Sequence, residues 1–498
     1  MASLRGGAMS IGQRAAWLYH ESGVASLYET GRDSWLVIIA RTCRMFAFGA
    51  VSLIMALFFA ELKFSDLQIG VFMTLTLTGD VILGLVITLM ADGLGRRRVL
   101  FAGGLLMAIS GLVFSYFESF WILLPAAVVG VVSATGSDFG PFRAIEESML
   151  SHLTTPKTRA DVLSWYVTSS SLGAAAGTEV AGRFNEALRS REGWDIKGTY
   201  HATFWVYIVM GVLNMVLALS MSAKCEAAKA PIEATGEAAQ GLLDEDQATD
   251  EDDGHVVPPA AKKREQIRSR FSQVSSATRI VMYRVWFLLA IDSLADGMCS
   301  NTLTNYYLDR KFHLAKSTLG DIMSTAHVLA TVSAVFAGPL ARHIGLVNTM
   351  VFTHLPSSIA VLLFPAPQSL ALTVVFLFLR YGLNNMDQAP RTAFIAAVVR
   401  PEERTAVMGI TTTVRTLAST LGPSITGALA GSENFWVAFV VGGALRVLYD
   451  LGLWVMCINM RLHAHEPNPP QPIALRESTE ETPVETGSPQ RDEHSYRT

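Results

Sequence analysis

Charged residues are scarce in this chain. Only 16% of its 498 residues are Asp, Glu, Lys or Arg, whereas soluble domains carry about 25%, and half of the residues are hydrophobic. A soluble globule of this length needs a more highly charged surface, so the composition excludes that class of protein. The net charge of −4 at pH 7 gives no basic excess, and we therefore expect no nucleic-acid partner.

Cysteine and catalytic motifs are also lacking. The four cysteines, at positions 43, 225, 299 and 457, share no short spacing, which argues against a disulfide framework and against a zinc site. The chain has no G-x-x-x-x-G-K-[ST] phosphate loop, no G-x-S-x-G nucleophile elbow and no H-E-x-x-H metal motif. We therefore expect no cofactor, no metal and no enzymatic activity.

The chain is rich in apolar runs near 20 residues, the length that crosses about 30 Å of hydrocarbon. Charged residues, glycine and proline separate these runs into two sets of six. The twelve predicted spans are 34–60, 67–91, 98–117, 119–145, 160–182, 203–222, 281–308, 318–341, 346–366, 369–396, 405–430 and 434–459. The sequence therefore predicts an all-α membrane protein embedded in a lipid bilayer.

Five segments follow from this division. They are a cytoplasmic N-terminal segment (1–33), an N-terminal six-helix bundle (34–222), a disordered cytoplasmic linker (223–280), a C-terminal six-helix bundle (281–459) and a disordered cytoplasmic tail (460–498). Basic residues before span seven place the linker and both termini in the cytoplasm by the positive-inside rule. We expect a monomer in the plasma membrane, with a vacuolar or other internal membrane as the alternative.

The second set of spans repeats the first at an offset of about 250 residues. Ala91 and Gly95, after span two, recur 250 positions later as Ala341 and Gly345, after span eight. Further matches, at offsets of 249 and 251, are Asp138 with Asp387, Pro141 with Pro390 and Trp35 with Trp286. The nearly constant offset indicates duplication, so the two bundles are predicted to be pseudo-symmetric.

The loop between spans two and three carries a recognisable pattern, which reads Asp92-Gly93-Leu94-Gly95-Arg96-Arg97-Arg98. Together with twelve spans and a long middle loop, it resembles the signature of the major facilitator superfamily, and the likeness covers roughly residues 34–460. Asp92, Gly95, Arg96 and Arg97 match the signature, while Thr88 replaces its leading glycine. The resemblance implies the fold of that family and a latch that holds the bundles in the outward-open state. The alternative is that the arginines only set topology.

The resemblance also implies a secondary transporter that carries a small-molecule substrate by alternating access. Proton-coupled export of a small organic solute is the first hypothesis, because the loop signature and Gly422-Pro423 in span eleven resemble proton-antiporting exporters. Proton-coupled or facilitated uptake of a small anion is the alternative, since Arg41, Arg44 and Arg380 supply cations. A non-transporting membrane sensor on the same fold is a third hypothesis.

Charges within the spans need an explanation, because an ionised side chain at the bilayer centre costs at least about 2.5 kcal/mol. Arg41 and Arg44 share a face of span one, and the repeat offset aligns Arg41 with Asp292 of span seven. Spans one and seven line the central cavity in the family, so we expect these arginines to face Asp292 and Asp296 across the pathway. There the arginines bind an anionic substrate group and an aspartate carries a proton. The alternative is that these residues form a structural ion pair between the bundles.

Further polar residues are candidates for the substrate or ion pathway. Asp80 in span two is a proton site, or it is hydrogen-bonded to Thr76 or Thr78. His327 in span eight titrates, or it is a polar packing residue. The remaining candidates, in spans four and ten, are Asp138, Arg380, Asn384 and Asp387. These side chains contact substrate, or they form a gating network.

Overall fold

The computed structural model describes residues 24–130, 132, 142–155, 158–226, 276–399 and 404–458, and the regular structure of these residues is entirely helical. The first half contains α1 (Val24–Thr30), α2 (Arg32–Glu61), α3 (Asp66–Leu94), α4 (Arg96–Tyr116), α5 (Phe120–Val129), α6 (Phe142–Leu153), α7 (Arg159–Arg189) and α8 (Ile196–Ser220). The second half contains α9 (Ser276–Met298), α10 (Asn301–Phe312), α11 (Lys316–Ile344), α12 (Leu346–Leu363), α13 (Leu370–Asn384), α14 (Gln388–Val398), α15 (Arg404–Gly431) and α16 (Phe435–Ile458). The predicted tail and linker residues 227–275 lie outside the described residues.

Each predicted span coincides with one helix or with two consecutive helices. Span four corresponds to α5 and α6, span seven to α9 and α10, and span ten to α13 and α14. Seven described helices are long and apolar enough to cross a membrane: α2, α3, α4, α8, α11, α12 and α16. The α7 helix is less apolar because it carries buried polar side chains such as Thr178 and Asn185, which pack against protein. A span that faces protein on most sides does not need a uniformly apolar surface.

The duplicated loop has the same backbone conformation in both halves. Gly95 ends α3 with a φ of +94°, and Gly345 ends α11 with a φ of +87°. The Gly95 N–H donates to the Ala91 carbonyl at 3.0 Å, and the Gly345 N–H donates to the Ala341 carbonyl at the same distance. Only glycine adopts this φ readily, which explains why both glycines recur at the predicted offset.

Close contact between backbones holds the N-terminal bundle together. A Cβ atom added to Gly49 of α2 would lie 2.1 Å from the Ala174 carbonyl oxygen of α7. A Cβ added to Gly177 of α7 would lie 1.9 Å from the Phe46 carbonyl oxygen of α2. Small residues let membrane helices approach closely where no hydrophobic driving force operates between them. The α2 and α7 helices therefore depend on glycine at their contact.

The two bundles meet mainly at one end, which we call the far side; it contains the end of α2 and the start of α3. The opposite end, where α8 ends and α9 begins, is the linker side. On the far side, Asp66 pairs with Arg310 at 2.8 Å, and Arg183 pairs with Asp321 at 2.9 Å. Deeper in the bundles, the Ser424 hydroxyl lies 2.7 Å from that of Thr74. The polar contacts that the structure describes between the bundles therefore lie in their far half.

Gly177→Ala is expected to lower the thermal stability of the detergent-solubilised protein, because its Cβ collides with the backbone of α2. Overpacking of this kind costs about 1–3 kcal/mol. Gly338→Ala in α11 is the matched control, since a Cβ at that position meets no atom within 4 Å. Tryptophan fluorescence during heating measures both variants. Equal unfolding temperatures for the two would show that the α2–α7 contact is not tightly packed.

Candidate functional site

A buried charge cluster joins three helices of the N-terminal bundle. Glu146 of α6 is fully buried, and its carboxylate accepts a hydrogen bond from Arg44 of α2. The Tyr166 hydroxyl of α7 donates to Glu146 Oε2 at 2.8 Å, and Arg41 Nη1 lies 3.8 Å from the same oxygen. Buried charges need this combination of an opposite charge and further hydrogen bonds. We call these four residues the Glu146 cluster.

Aromatic rings complete the surroundings of the two arginines. The Arg41 guanidinium lies 5.1 Å from the centre of the Tyr166 ring, and the Arg44 guanidinium lies 5.1 Å from the centre of the Phe142 ring. Both distances are within the range of a cation–π interaction. The sequence correctly placed Arg41 and Arg44 on one helix face, since both reach the same carboxylate.

The predicted pairing of these arginines with Asp292 and Asp296 is corrected by the structure. Arg41 and Arg44 contact Glu146 of their own bundle, and the two aspartates contact residues of the C-terminal bundle. The repeat offset showed that Arg41 and Asp292 occupy equivalent positions in the two bundles. Equivalent positions of two bundles need not be in contact, so the offset did not predict a pair. Glu146 directly follows span four in the sequence, and a carboxylate at the end of an apolar span was the available signal for it.

A larger charge cluster lies within the C-terminal bundle, and we call it the Arg446 cluster. Arg446 of α16 is fully buried and donates to Asp296 of α9 at 2.6 Å. It also donates to the Asn384 side-chain oxygen and to His354 Nε2 of α12, the latter at 2.8 Å. One guanidinium group therefore connects four spans, as its five N–H donors permit.

The Arg446 cluster extends through His354. His354 Nδ1 lies 2.7 Å from Asp450 Oδ1, and Ser358 donates to the other oxygen of Asp450 at 2.6 Å. His354 Nε2 lies 3.7 Å from Asp292 Oδ1. The sequence did not indicate His354, although a histidine within an apolar span was a usable signal.

Arg391 and Asp387 form the other end of the Arg446 cluster. Arg391 Nη1 lies 3.2 Å from Asp292 Oδ2, and Arg391 also pairs with Asp387, one turn earlier in the chain. All three side chains are at least nine-tenths buried. Asp296, in contrast, is 38% exposed, so solvent reaches the Arg446 cluster at this carboxylate.

Arg380 lies at the break between α9 and α10, which the sequence did not predict. Its guanidinium donates to the Cys299 carbonyl and, at 3.1 Å, to the Thr304 hydroxyl. No carboxylate pairs with Arg380 among the described residues. The buried hydroxyl groups of Ser300 and Thr302, beside the break, have no hydrogen-bond partner in the described part of the chain. Broken helices of this kind form binding sites in many transporters.

The remaining candidates lie apart from both clusters. Asp80 of α3 is 6% exposed, and its Oδ1 has no hydrogen-bond partner among the described residues. Thr76 and Thr78 donate instead to carbonyls one turn earlier, so the predicted hydrogen bond to them is absent there. His327 packs edge-on against Tyr381, with ring centres 5.5 Å apart. Asp138 lies outside the described residues.

The signature loop is held in this structure by Glu226, at the start of the segment predicted as the linker. Glu226 accepts hydrogen bonds from the backbone N–H groups of Arg96 at 2.6 Å and Arg97 at 3.3 Å. These N–H groups begin α4, where a carboxylate caps the helix and interacts favourably with its dipole. Gly95 provides the turn that precedes them, and the side chain of Asp92 lies outside the described residues. The latch between the bundles stays a prediction.

A model of the Major Facilitator Superfamily matches residues 37–283 and 285–489. The chain belongs to the major facilitator superfamily. It is also 30% identical over 433 residues to the uncharacterized membrane protein YJR124C of Saccharomyces cerevisiae, which covers 86% of this chain and 95% of the yeast protein. The predicted family and the predicted all-α fold of two six-helix bundles are thus confirmed.

Solved transporters share this superfamily fold. The nucleoside transporter NupG matches with a TM-score of 0.60 and 13% identity, covering 85% of this chain and 99% of that one. A D-xylose–proton symporter matches with a TM-score of 0.61 and 12% identity, covering 84% of this chain and 97% of the symporter. As a superfamily member, the protein is an integral multi-pass membrane protein and a secondary transporter rather than an enzyme.

Glu146→Gln is expected to destabilise the protein strongly, because it removes the carboxylate charge beside two buried guanidinium groups. Breaking a buried ion pair costs about 3–5 kcal/mol. The neighbouring Glu147→Gln is the matched control, since Glu147 pairs with Arg143 at an exposed position and such pairs contribute about 0–1 kcal/mol. Thermal unfolding of both variants in detergent gives the comparison. An unchanged midpoint for Glu146→Gln would contradict the assigned pairing.

Proposed function

We propose that this superfamily member is a proton-coupled exporter of a small organic solute. The observation that carries the proton coupling is Asp80, a buried carboxyl group with no ion-pair partner among the described residues. An ionised carboxylate in such surroundings is costly, and binding a proton removes that cost. Asp80 therefore favours a cycle in which it binds a proton in one conformation and releases it where water enters.

The contacts between the bundles support alternating access. Those that the structure describes lie on the far side, which is the extracytoplasmic side if the linker is cytoplasmic as proposed. The conformation is then closed toward the outside. A substrate that is exported must enter from the cytoplasm, and this conformation is the one that would admit it.

The direction of transport is supported by two features of the sequence that have structural counterparts. The signature loop turns at Gly95, one of the four residues that match the family signature. Gly422, before Pro423 in α15, packs against the backbone of α9, where an added Cβ would lie 2.3 Å from the Gly297 carbonyl carbon. This pair resembles the Gly-Pro helix of proton-antiporting exporters, but it lies in span eleven, whereas the exporters carry it in the fifth helix and span five of this chain has no proline.

Uptake of a small anion is the second candidate function, and Arg380 favours it. Its guanidinium is buried beside the break of span seven and has no carboxylate partner in the described part of the chain. A carboxylate or phosphate group of a substrate would supply the missing charge and a bidentate hydrogen bond. Arg41 and Arg44 favour this function less than Arg380 does, because both are already paired with Glu146.

Proteoliposomes containing a pH-sensitive dye test the first proposal. We expect at least one member of a panel of organic anions and cations to drive proton movement in wild type, and Asp80→Asn to abolish that movement while substrate exchange persists. Asp195→Asn is the control, because Asp195 caps α8 through its side chain and asparagine also serves as a cap. Substrate flux without proton movement in wild type would overturn proton coupling.

Charge substitutions at Arg380 test the second candidate. If an anion is the substrate, Arg380→Gln should abolish its flux, whereas Arg380→Lys should retain a measurable part because the positive charge persists. The Lys variant is the control for the lost contact with the Cys299 carbonyl, since lysine also donates hydrogen bonds. Flux carried only by cations, with both variants equal to wild type, would exclude this function.

A further inference from the structure

His354 has a protonation state that its neighbours define. Arg446 Nη2 lies 2.8 Å from His354 Nε2, and a guanidinium group can only donate hydrogen bonds. Nε2 therefore accepts and carries no proton. The single proton of the neutral ring must then lie on Nδ1, which donates to Asp450 at 2.7 Å. The described conformation thus contains a neutral imidazole in one fixed tautomer.

Adding a proton to this ring would break one contact and offer another. A protonated Nε2 cannot accept from Arg446, and the two positive groups would repel each other. Asp292 Oδ1 is 3.7 Å from the same nitrogen and has no hydrogen-bond partner among the described residues, whereas Oδ2 is ion-paired with Arg391 at 3.2 Å. Asp292 is therefore a buried acceptor that lies beside His354 and is available to it.

The charges that surround His354 favour such a proton. Four carboxylates occupy the Arg446 cluster: Asp292 and Asp296 from α9, Asp387 before α14, and Asp450 from α16. Three guanidinium groups oppose them: Arg391, Arg446 and Arg415, the last of which donates to Ser293 beside Asp292. Arg380 of α13 is directed to the break of span seven, and Tyr449 packs edge-on against the ring. A protonated His354 would therefore balance the cluster.

We propose that His354 is a proton-binding site of the C-terminal bundle, at which protonation exchanges the contact with Arg446 for one with Asp292. The exchange forms a contact between α12 and α9 and breaks the contact between Arg446 and His354. Arg446 keeps its contacts with Asp296 and Asn384. Solvent reaches the cluster at Asp296, which is 38% exposed. This inference rests on the proposed proton coupling, and it names the group that would couple a proton to movement of α9 and α12.

Distances between spin labels on the linker side test this proposal without any substrate. Labels at Val167→Cys in α7 and Val335→Cys in α11, both exposed, are introduced into the full chain after replacement of its native cysteines. In wild type we expect the distance distribution to change between pH 5.5 and pH 8. In His354→Gln the change should be clearly smaller, because glutamine offers Arg446 an acceptor but cannot take up a proton, so that only Asp80 still contributes. His343→Gln, at the exposed end of α11, should respond as wild type does.

A second variant keeps the test decisive if His354→Gln does not fold. Asp292→Asn removes the charge that the protonated ring would contact, so it should also reduce the pH-dependent change. A wild-type response in either folded variant, or no response in wild type, overturns the proposal. Asp80→Asn should keep the part of the response that depends on His354, so loss of proton flux in that variant tests the proposed function separately.

Discussion

Compensation of buried charge within each bundle is the constraint on which this structure depends. Glu146 pairs with Arg44 inside the N-terminal bundle, and Arg446 pairs with Asp296 inside the C-terminal bundle. Breaking such pairs in a low-dielectric interior is costly. Because both clusters are internal to a bundle, each bundle can move as a rigid body without separating the buried ion pairs of these two clusters. The fold therefore permits the relative motion that alternating access requires.

The contacts between the bundles have the opposite character. Arg183 and Asp321 pair across the far side with 66% and 51% of their side chains exposed. Exposed pairs of this kind contribute about 0–1 kcal/mol, so water replaces them at little cost. Where α3 meets α15, Gly70 lies against the backbone, and an added Cβ would be 2.3 Å from the Pro423 carbonyl oxygen. Weak ion pairs together with close backbone packing can hold the bundles in one conformation and still allow them to separate.

The sequence predicted the spans, the family and the turn glycines, because these depend on local composition and backbone conformation. Gly95 and Gly345 were found from the repeat, and both have a positive φ. This conformation belongs to the turn itself, so it can be predicted from the local sequence. Pairing partners could not be predicted in the same way. Arg446 and Asp450 are four residues apart, a spacing that allows a pair within one helix, but Arg446 contacts Asp296 and Asp450 contacts His354. Which face of α16 meets α9 or α12 depends on the packing of the whole bundle.

The repeat preserves the backbone of the two bundles but not their chemistry. At an offset of 250 residues, Asp80 corresponds to Ala330, and His354 corresponds to Gly104. Among the described residues, the buried carboxyl group of Asp80 that has no ion pair therefore has no counterpart at the aligned position, and the same holds for the histidine of the charge network. If both groups bind protons, the two bundles respond to protonation by different routes: one loses an uncompensated charge, and the other exchanges partners.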